Sequence, residues 1–394
     1  MFKYSPFLLL FIFFRWEKSL AQSSKKDTSS VQNSISVTGF YGLKIFSAEK
    51  NYMAGNYWGT EVAYNLNLKN NLSDWVKMLN AKNLSFAFSY FNLDNVYLTQ
   101  KAGTKGFLGD DYSLFSRLEL SIIQFDKVDF LLTPGFGLTY ATKTYRTNYN
   151  PLIGSHINLG AQIGLKLETP VSASTKIQLG LNFFHYSNAA FKLPNDGVNT
   201  INSSIGIISD IGYKETPHKT LAFNIDNKSA FEFGLGLGHR GLLQIVQQKL
   251  SPADSIKQEY AVSHLNNAGF YAGYNYRLNS LLSIKAATDV VYYFVTYNAV
   301  NYLSKISTSQ ELGTSYDKFS VGTSLGGDIW LGRFVFEADY GYYLHLKYGQ
   351  TPIYTYWNFG AKYYLTNWLA LEAKEYLHGT EAHYANFGLL FHVY

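Results

Sequence analysis

The chain has 394 residues, a formal net charge of +5 and no cysteine, which excludes disulfides, thiolate metal sites, a cysteine nucleophile and a lipidated cysteine. The positive charge is small for this length and comes without a basic block, so no nucleic acid partner is expected; it suits weak contact with anionic lipid headgroups. Aromatics make up 17%, with 33 Tyr and 29 Phe, yet mean hydropathy is only -0.10, a load unlike the long apolar runs of helical membrane proteins.

The chain starts with a basic residue at Lys3, an apolar core from Pro6 to Phe14 and a small-x-small site at Ser19-Leu20-Ala21. This order predicts an export signal over residues 1–21, too short to span a bilayer as a helix. Arg15, Glu17 and Lys18 behind the core depart from the usual signal pattern. Residues 22–33 are polar and Ser/Lys-rich and predict a disordered spacer.

From residue 34 onward the pattern is period two. Ile35-Ser36-Val37-Thr38-Gly39-Phe40, Leu84-Ser85-Phe86-Ala87-Phe88, Phe231-Glu232-Phe233-Gly234-Leu235 and Trp357-Asn358-Phe359-Gly360 each alternate bulky apolar with small or polar residues. Such alternation predicts strands with one apolar face. Three features turn that face toward lipid. The segments run about 9 to 14 residues, long enough for a tilted span. Tyr and Phe cluster at segment ends, as in Tyr292-Tyr293-Phe294 and Tyr340-Gly341-Tyr342-Tyr343. The export signal and the lack of cysteine fit the compartment, and the small residues on the other face suit a narrow lumen.

Residues 34–394 therefore predict an all-β, antiparallel transmembrane β-barrel of about 12 to 16 strands. The alternative is an eight-stranded barrel plus a second β unit; a single barrel is the preferred reading because open strand edges do not persist in lipid. Turns are expected at Asn70-Asn71, Asn148 to Pro151, Asn279-Ser280 and Thr366-Asn367, and longer insertions near Thr99 to Asp111, Tyr213 to Lys228 and Lys249 to Asn266. Leu72 to Ala81, with Ser73 or Asp74 as cap, is the one helical pattern and carries Trp75 toward the membrane interface.

Chemistry concentrates at Asn182-Phe183-Phe184-His185-Tyr186-Ser187-Asn188-Ala189-Ala190, followed by Pro194-Asn195-Asp196-Gly197-Val198-Asn199. On a strand His185 and Ser187 project from the same face. A serine hydroxyl needs such a base to become nucleophilic, and a third polar group must then hold the imidazole tautomer. Asn188 follows the serine and is placed to donate to an oxyanion. The Pro194 to Gly197 turn returns the next strand beside the first and brings Asn199 toward His185.

His185-Tyr186-Ser187-Asn188-Ala189 with Pro194-Asn195-Asp196-Gly197 resembles the active-site signature of the lipid A 3-O-deacylase (acyloxyacyl hydrolase-like) family. Ile153 to Asn158 resembles the strand before that motif, and Tyr356 to Tyr394 resembles the family's final strands more loosely. The resemblance implies an outer-membrane barrel that cleaves an acyl ester of lipid A, or lipopolysaccharide, without a cofactor. It implies Ser187 as nucleophile, His185 as base, and Asn188 with the backbone N–H of Ala190 in the oxyanion hole. The family's acidic position falls on Asn199, a departure that puts the rate in doubt unless Asp196 or another carboxylate substitutes. The site is expected on the outer wall near the membrane interface, where an acyl chain reaches it without entering the lumen.

The other histidines lack metal-ligand spacing, and no metal, nucleotide or flavin motif is found. His156 reads as a lumen residue or a neighbour of the site, and His239 as part of a close-packed wall. Glu372 and Glu375 read as lumen or rim residues. Competing functional readings are a non-catalytic barrel (a porin-like channel or structural surface protein) and a soluble secreted β-sandwich.

Overall fold

The computed structural model describes residues 32–394 except 48–52, 100–102, 149, 193, 215–227, 249–256, 295–317, 347–352 and 380. The expected signal and nearly all of the spacer lie outside the described residues; Gln32 and Asn33 already belong to the first strand.

Two closed antiparallel sheets follow one another. The first contains β1 (Gln32–Phe46), β3 (Trp58–Asn67), β4 (Ala81–Asn92), β6 (Asp110–Phe125), β7 (Val128–Leu132), β8 (Gly135–Ala141), β9 (Ile157–Pro170), β10 (Thr175–Ser187) and β11 (Val198–Lys214). β10 pairs with both β9 and β11, which closes the ring. A two-stranded ribbon, β2 (Met53–Ala54) with β5 (Tyr97–Leu98), lies in the loops above it. β7 and β8 both pair with β6 and β9. They are one spanning strand interrupted at Pro134, which has no N–H for the ladder; Thr133 on its flank keeps both bonds to Gly164. The first barrel thus has eight spanning strands.

The second barrel is formed by β12 (Ser229–Gln248), β13 (Lys257–Arg277), β14 (Leu282–Tyr293), β15 (Phe319–Leu331), β16 (Phe334–His345), β17 (Thr355–Tyr364), β18 (Leu369–His378) and β19 (Glu381–Val393), with β12 and β19 closing the circle. The antiparallel barrel architecture is as expected, but its strands divide into two rings of eight. The argument against open edges holds for either partition, since each ring abolishes its own edges. β13 also begins inside the insertion expected over 249–266.

Burial in both rings is inverted relative to a water-soluble fold. Leu237, Leu325 and Ile157 are 69%, 71% and 67% exposed, while Glu232 and Lys362 are 0% exposed. In water each outward Leu or Phe would forgo about 1.5–3 kcal/mol of burial; in lipid that penalty vanishes. This inversion excludes the secreted sandwich. Among the described residues both interiors are filled by side chains. In the first barrel Glu61 takes both guanidinium ends of Arg117, and Lys166 pairs with Glu119 and Glu168. In the second, Lys362 sits among Glu232, Asp328 and Glu337, and Lys285 contacts Asp328, Glu337 and Asp339. Eight strands leave room for little more than side chains.

The ends of each barrel differ. Short turns such as Asp126-Lys127 and Gly332-Arg333, with the longer 68–80 connection, mark one rim, and most of the longer connections mark the other, the asymmetry of outer-membrane barrels. The helix α1 (Asp74–Met78) begins after Ser73 at the short-turn rim. There the Ser280 hydroxyl reaches the Met78 sulfur at 3.4 Å, and the Trp75 indole lies beside Gly332. Both are short-turn residues of their own barrel, so the two barrels stand side by side in the same orientation. A second helix, α2 (Tyr145–Asn148), lies in the connection between β8 and β9 at the opposite rim.

Candidate active site

β10 climbs to the long-loop rim and ends at Ser187. Its Gln178, Asn182, Phe184 and Tyr186 are buried, while Ile177, Leu179 and Leu181 are exposed. By the period-two rule His185 and Ser187 share the outward face with the exposed set. On one side His185 is in register with Asn199 of β11; on the other, Ser187 is in register with Leu159 of β9. Directly opposite residues on one face bring their side chains together.

The resulting chain of contacts is short. His185 Nδ1 lies 2.8 Å from Asn199 Oδ1, and His185 Nε2 lies 3.2 Å from Ser187 Oγ. An amide oxygen only accepts, so Nδ1–H donates to Asn199. That leaves Nε2 bare toward the serine O–H. The distances fall within reach of proton transfer. Asn199, rather than Asp196, partners Nδ1; the Asp196 N–H instead ties the loop to Leu152 O at 3.0 Å.

The loop that leaves Ser187 is held by its own polar groups. Asn188, 4% exposed, donates through Nδ2 to Lys192 O at 2.7 Å and accepts from Lys192 N–H at 3.2 Å. Its backbone N–H donates to Asn195 Oδ1 at 2.7 Å. Asn188 therefore first of all closes this loop, and its amide orientation is fixed at both ends. Ala189 and Ala190 follow with φ of 52° and 61° and are buried. Two consecutive non-glycine residues in the left-handed region cost about 1–3 kcal/mol each. Among the described residues neither of their N–H groups has a hydrogen-bond acceptor. Ile153 bridges Asn195, so the Ile153 to Asn158 stretch abuts the loop. His156 is half-buried, bonded to Ala141 O through Nδ1 and stacked on Tyr140.

Gly197 has a φ of 66°, and a Cβ built there would meet His185 Cε1 at 2.8 Å. The glycine thus serves the turn and also leaves room for the imidazole. Beneath the wall, Phe184 packs edge-on against Phe40, Phe91 and Phe115 at 5.7, 5.3 and 5.8 Å between centroids. This aromatic plug backs the strand that carries His185 and Ser187.

Sequence reasoning located His185, Ser187, Asn188, Ala190 and Asn199 but did not find three contributors. Asn195 was legible only as a turn residue, although its side chain orders Asn188. Leu159, opposite the serine, carried no signal beyond strand alternation. Phe191 stacks on His239 of the second barrel at 5.2 Å and lies 5.8 Å from Phe387, a contact that no local pattern announces.

Residues 41–207 match the family described as Lipid A 3-O-deacylase (PagL), and residues 233–394 match that described as Acyloxyacyl hydrolase, C-terminal domain. The first range falls on the first barrel and the second on the second. Among solved structures, the outer membrane enzyme PagL is similar over 43% of this chain and 97% of its own, at 16% identity and a TM-score of 0.30. Neisserial surface protein A is similar over 45% of this chain and 96% of its own, at 14% identity and a TM-score of 0.31. Comparison with curated proteins gave no match. The chain is an ester hydrolase of the outer membrane, built on β-barrels. It belongs to the lipid A 3-O-deacylase and acyloxyacyl hydrolase-like family.

Proposed function

We propose that the protein removes an ester-linked acyl chain from lipid A by a Ser/His mechanism. The observation that carries this reading is the hydrogen-bonded run Asn199–His185–Ser187 on an outward, otherwise apolar wall. Polar groups facing lipid are costly unless they have a task. A substrate ester at the membrane interface meets Ser187 without crossing the barrel wall.

Ser187 Oγ attacks the ester carbonyl carbon while His185 Nε2 takes its proton. The imidazolium is oriented through Nδ1 by Asn199. Negative charge on the former carbonyl oxygen meets the Ala190 N–H and the second hydrogen of Asn188 Nδ2, a preorganised pair of the kind that stabilises tetrahedral intermediates. Collapse breaks the bond to the sugar oxygen, which leaves with the proton held by His185. Water, deprotonated by the same imidazole, then attacks the acyl-serine. The fatty acid departs and the Ser187 hydroxyl is regenerated.

The test is lipid A profiling by mass spectrometry in outer membranes that carry the protein. Loss of one acyl chain with the native protein, and none with Ser187→Ala, is the expected result. Identical lipid A from both strains would overturn the proposal.

A further inference from the structure

The wall around Ser187 does not face open lipid on every side. Leu159, in register with the serine, is 47% exposed and pairs in turn with Leu138 of β8, 51% exposed. One step further along β8, Phe136 meets the second barrel: it stacks on Phe334 at 5.4 Å and lies edge-on to Phe336 at 5.1 Å. Adjacent strands lie about 4.8 Å apart, so this contact is roughly two strand spacings, about 10 Å, from the serine's own strand. Above the site, the loop's Phe191 touches His239 and Phe387. The His239 ring is itself held by Asn266 Oδ1 at 2.8 Å. The outward face of Ser187 is therefore bounded from above and from the side by contacts to β12, β19 and β16.

We infer that the seam between the barrels is the acyl-chain site of this hydrolase, with the second barrel forming its far wall and setting chain-length preference. This rests on the reading of Ser187 as nucleophile. Leu159 and Leu138 form the nearer wall and Phe387 the farther one, while the Phe136–Phe336 contact closes the seam at one end and Phe191 closes it at the other. A fatty acyl chain is the occupant because the side chains that line the seam are mainly apolar and Ser187 stands at its edge, in register with Leu159. A polar sugar would lose its hydrogen bonds there. A chain lying in the seam exchanges loose lipid contacts for fixed ones on both walls, and its length is read by how far the walls run.

The test uses the full-length protein in detergent micelles with p-nitrophenyl butyrate and p-nitrophenyl myristate. Phe387→Ala and Phe336→Ala are each expected to lower the myristate-to-butyrate ratio of kcat/KM by about tenfold, the loss expected when one wall contact of roughly a buried side chain is removed. Phe270→Ala, on outward β13, is expected to leave the ratio unchanged. Phe387→Trp, which fills the seam without removing packing, is expected to favour butyrate, and it serves where the alanine variants do not fold by heat-modified gel mobility. A ratio in the Phe387 and Phe336 variants equal to that of native protein overturns the seam as acyl site. Hydrolysis that persists in Ser187→Ala overturns the nucleophile, and with it this inference, whatever the ratios show.

Discussion

The two barrels follow the same rule on their outer walls and different rules inside. The second is filled by an ionic and phenolic network: Lys285 and Lys362 lie among Glu232, Asp328, Glu337 and Asp339, and the Tyr356 and Tyr376 hydroxyls donate to Asp289. The first is polar toward the short-turn rim and mainly aromatic under the site, where Phe40, Phe91, Phe115 and Phe184 meet beside the buried Asp111 and Tyr186. Buried ion pairs add little net stability, but they are costly to break. A ring stack fills space without titrating. The contrast teaches that the interior of the second barrel holds a wall in place, whereas the interior of the first supports one particular strand end. On the proposed reading the chemistry sits outside, at the place where the outward apolar pattern is broken by His185, Ser187 and Asn199.

Removing the break in that pattern should have the largest effect. Ser187→Ala is expected to lower hydrolysis by at least about 10³-fold, with unheated gel mobility unchanged; a folded variant with native turnover would erase the distinction between the two outer walls. Lys362→Ala should instead strike the second interior, since it leaves Glu232 without its lysine and Asp328 with Lys285 alone. A loss of about 3–5 kcal/mol is expected in urea unfolding, and an unaltered midpoint would mean that the network does not hold the second wall.

Gly197→Ala probes the first barrel's site without touching its interior. Its positive φ and the 2.8 Å approach to His185 predict a fall in turnover of about tenfold or more, from strain of about 1–3 kcal/mol, measurable as kcat on a short soluble ester. Asn199→Glu is expected to have the smallest effect, keeping or raising activity by a few-fold, because a carboxylate still accepts from Nδ1–H and stabilises the imidazolium that forms. A large drop in that variant would contradict the pairing of residue 199 with His185.

Much of this was legible in the residues themselves. Period-two alternation, as in Ile35 to Phe40, is a local signal that fixes strand type and facing, so the barrel class and the outward placement of His185 and Ser187 could be anticipated. The short helix over 74–78 could be read from Ser73 and the apolar spacing around Trp75. Closure is not local. Which strand pairs with which after Lys214 depends on hydrogen bonds between segments far apart in sequence, and strands of either barrel look alike residue by residue. For this reason the partition into two rings was less legible than the strands. The site followed the same division: Asn199 was found because a tight turn places it, while the second barrel's approach through Phe387 is a contact between distant walls.

Each ring has an even number of strands, so it begins and ends at one rim: Gln32 pairs with Lys214, and Ser229 lies at the rim shared with Gly332. Joining such units needs a tether along a single membrane face and no additional crossing. The arrangement makes the companion barrel a permanent neighbour at high effective concentration, independent of how dilute the protein is in the membrane. A hydrolase made this way has no assembly equilibrium to lose on dilution. A partner that would otherwise have to be found by lateral diffusion is encoded in the same polypeptide.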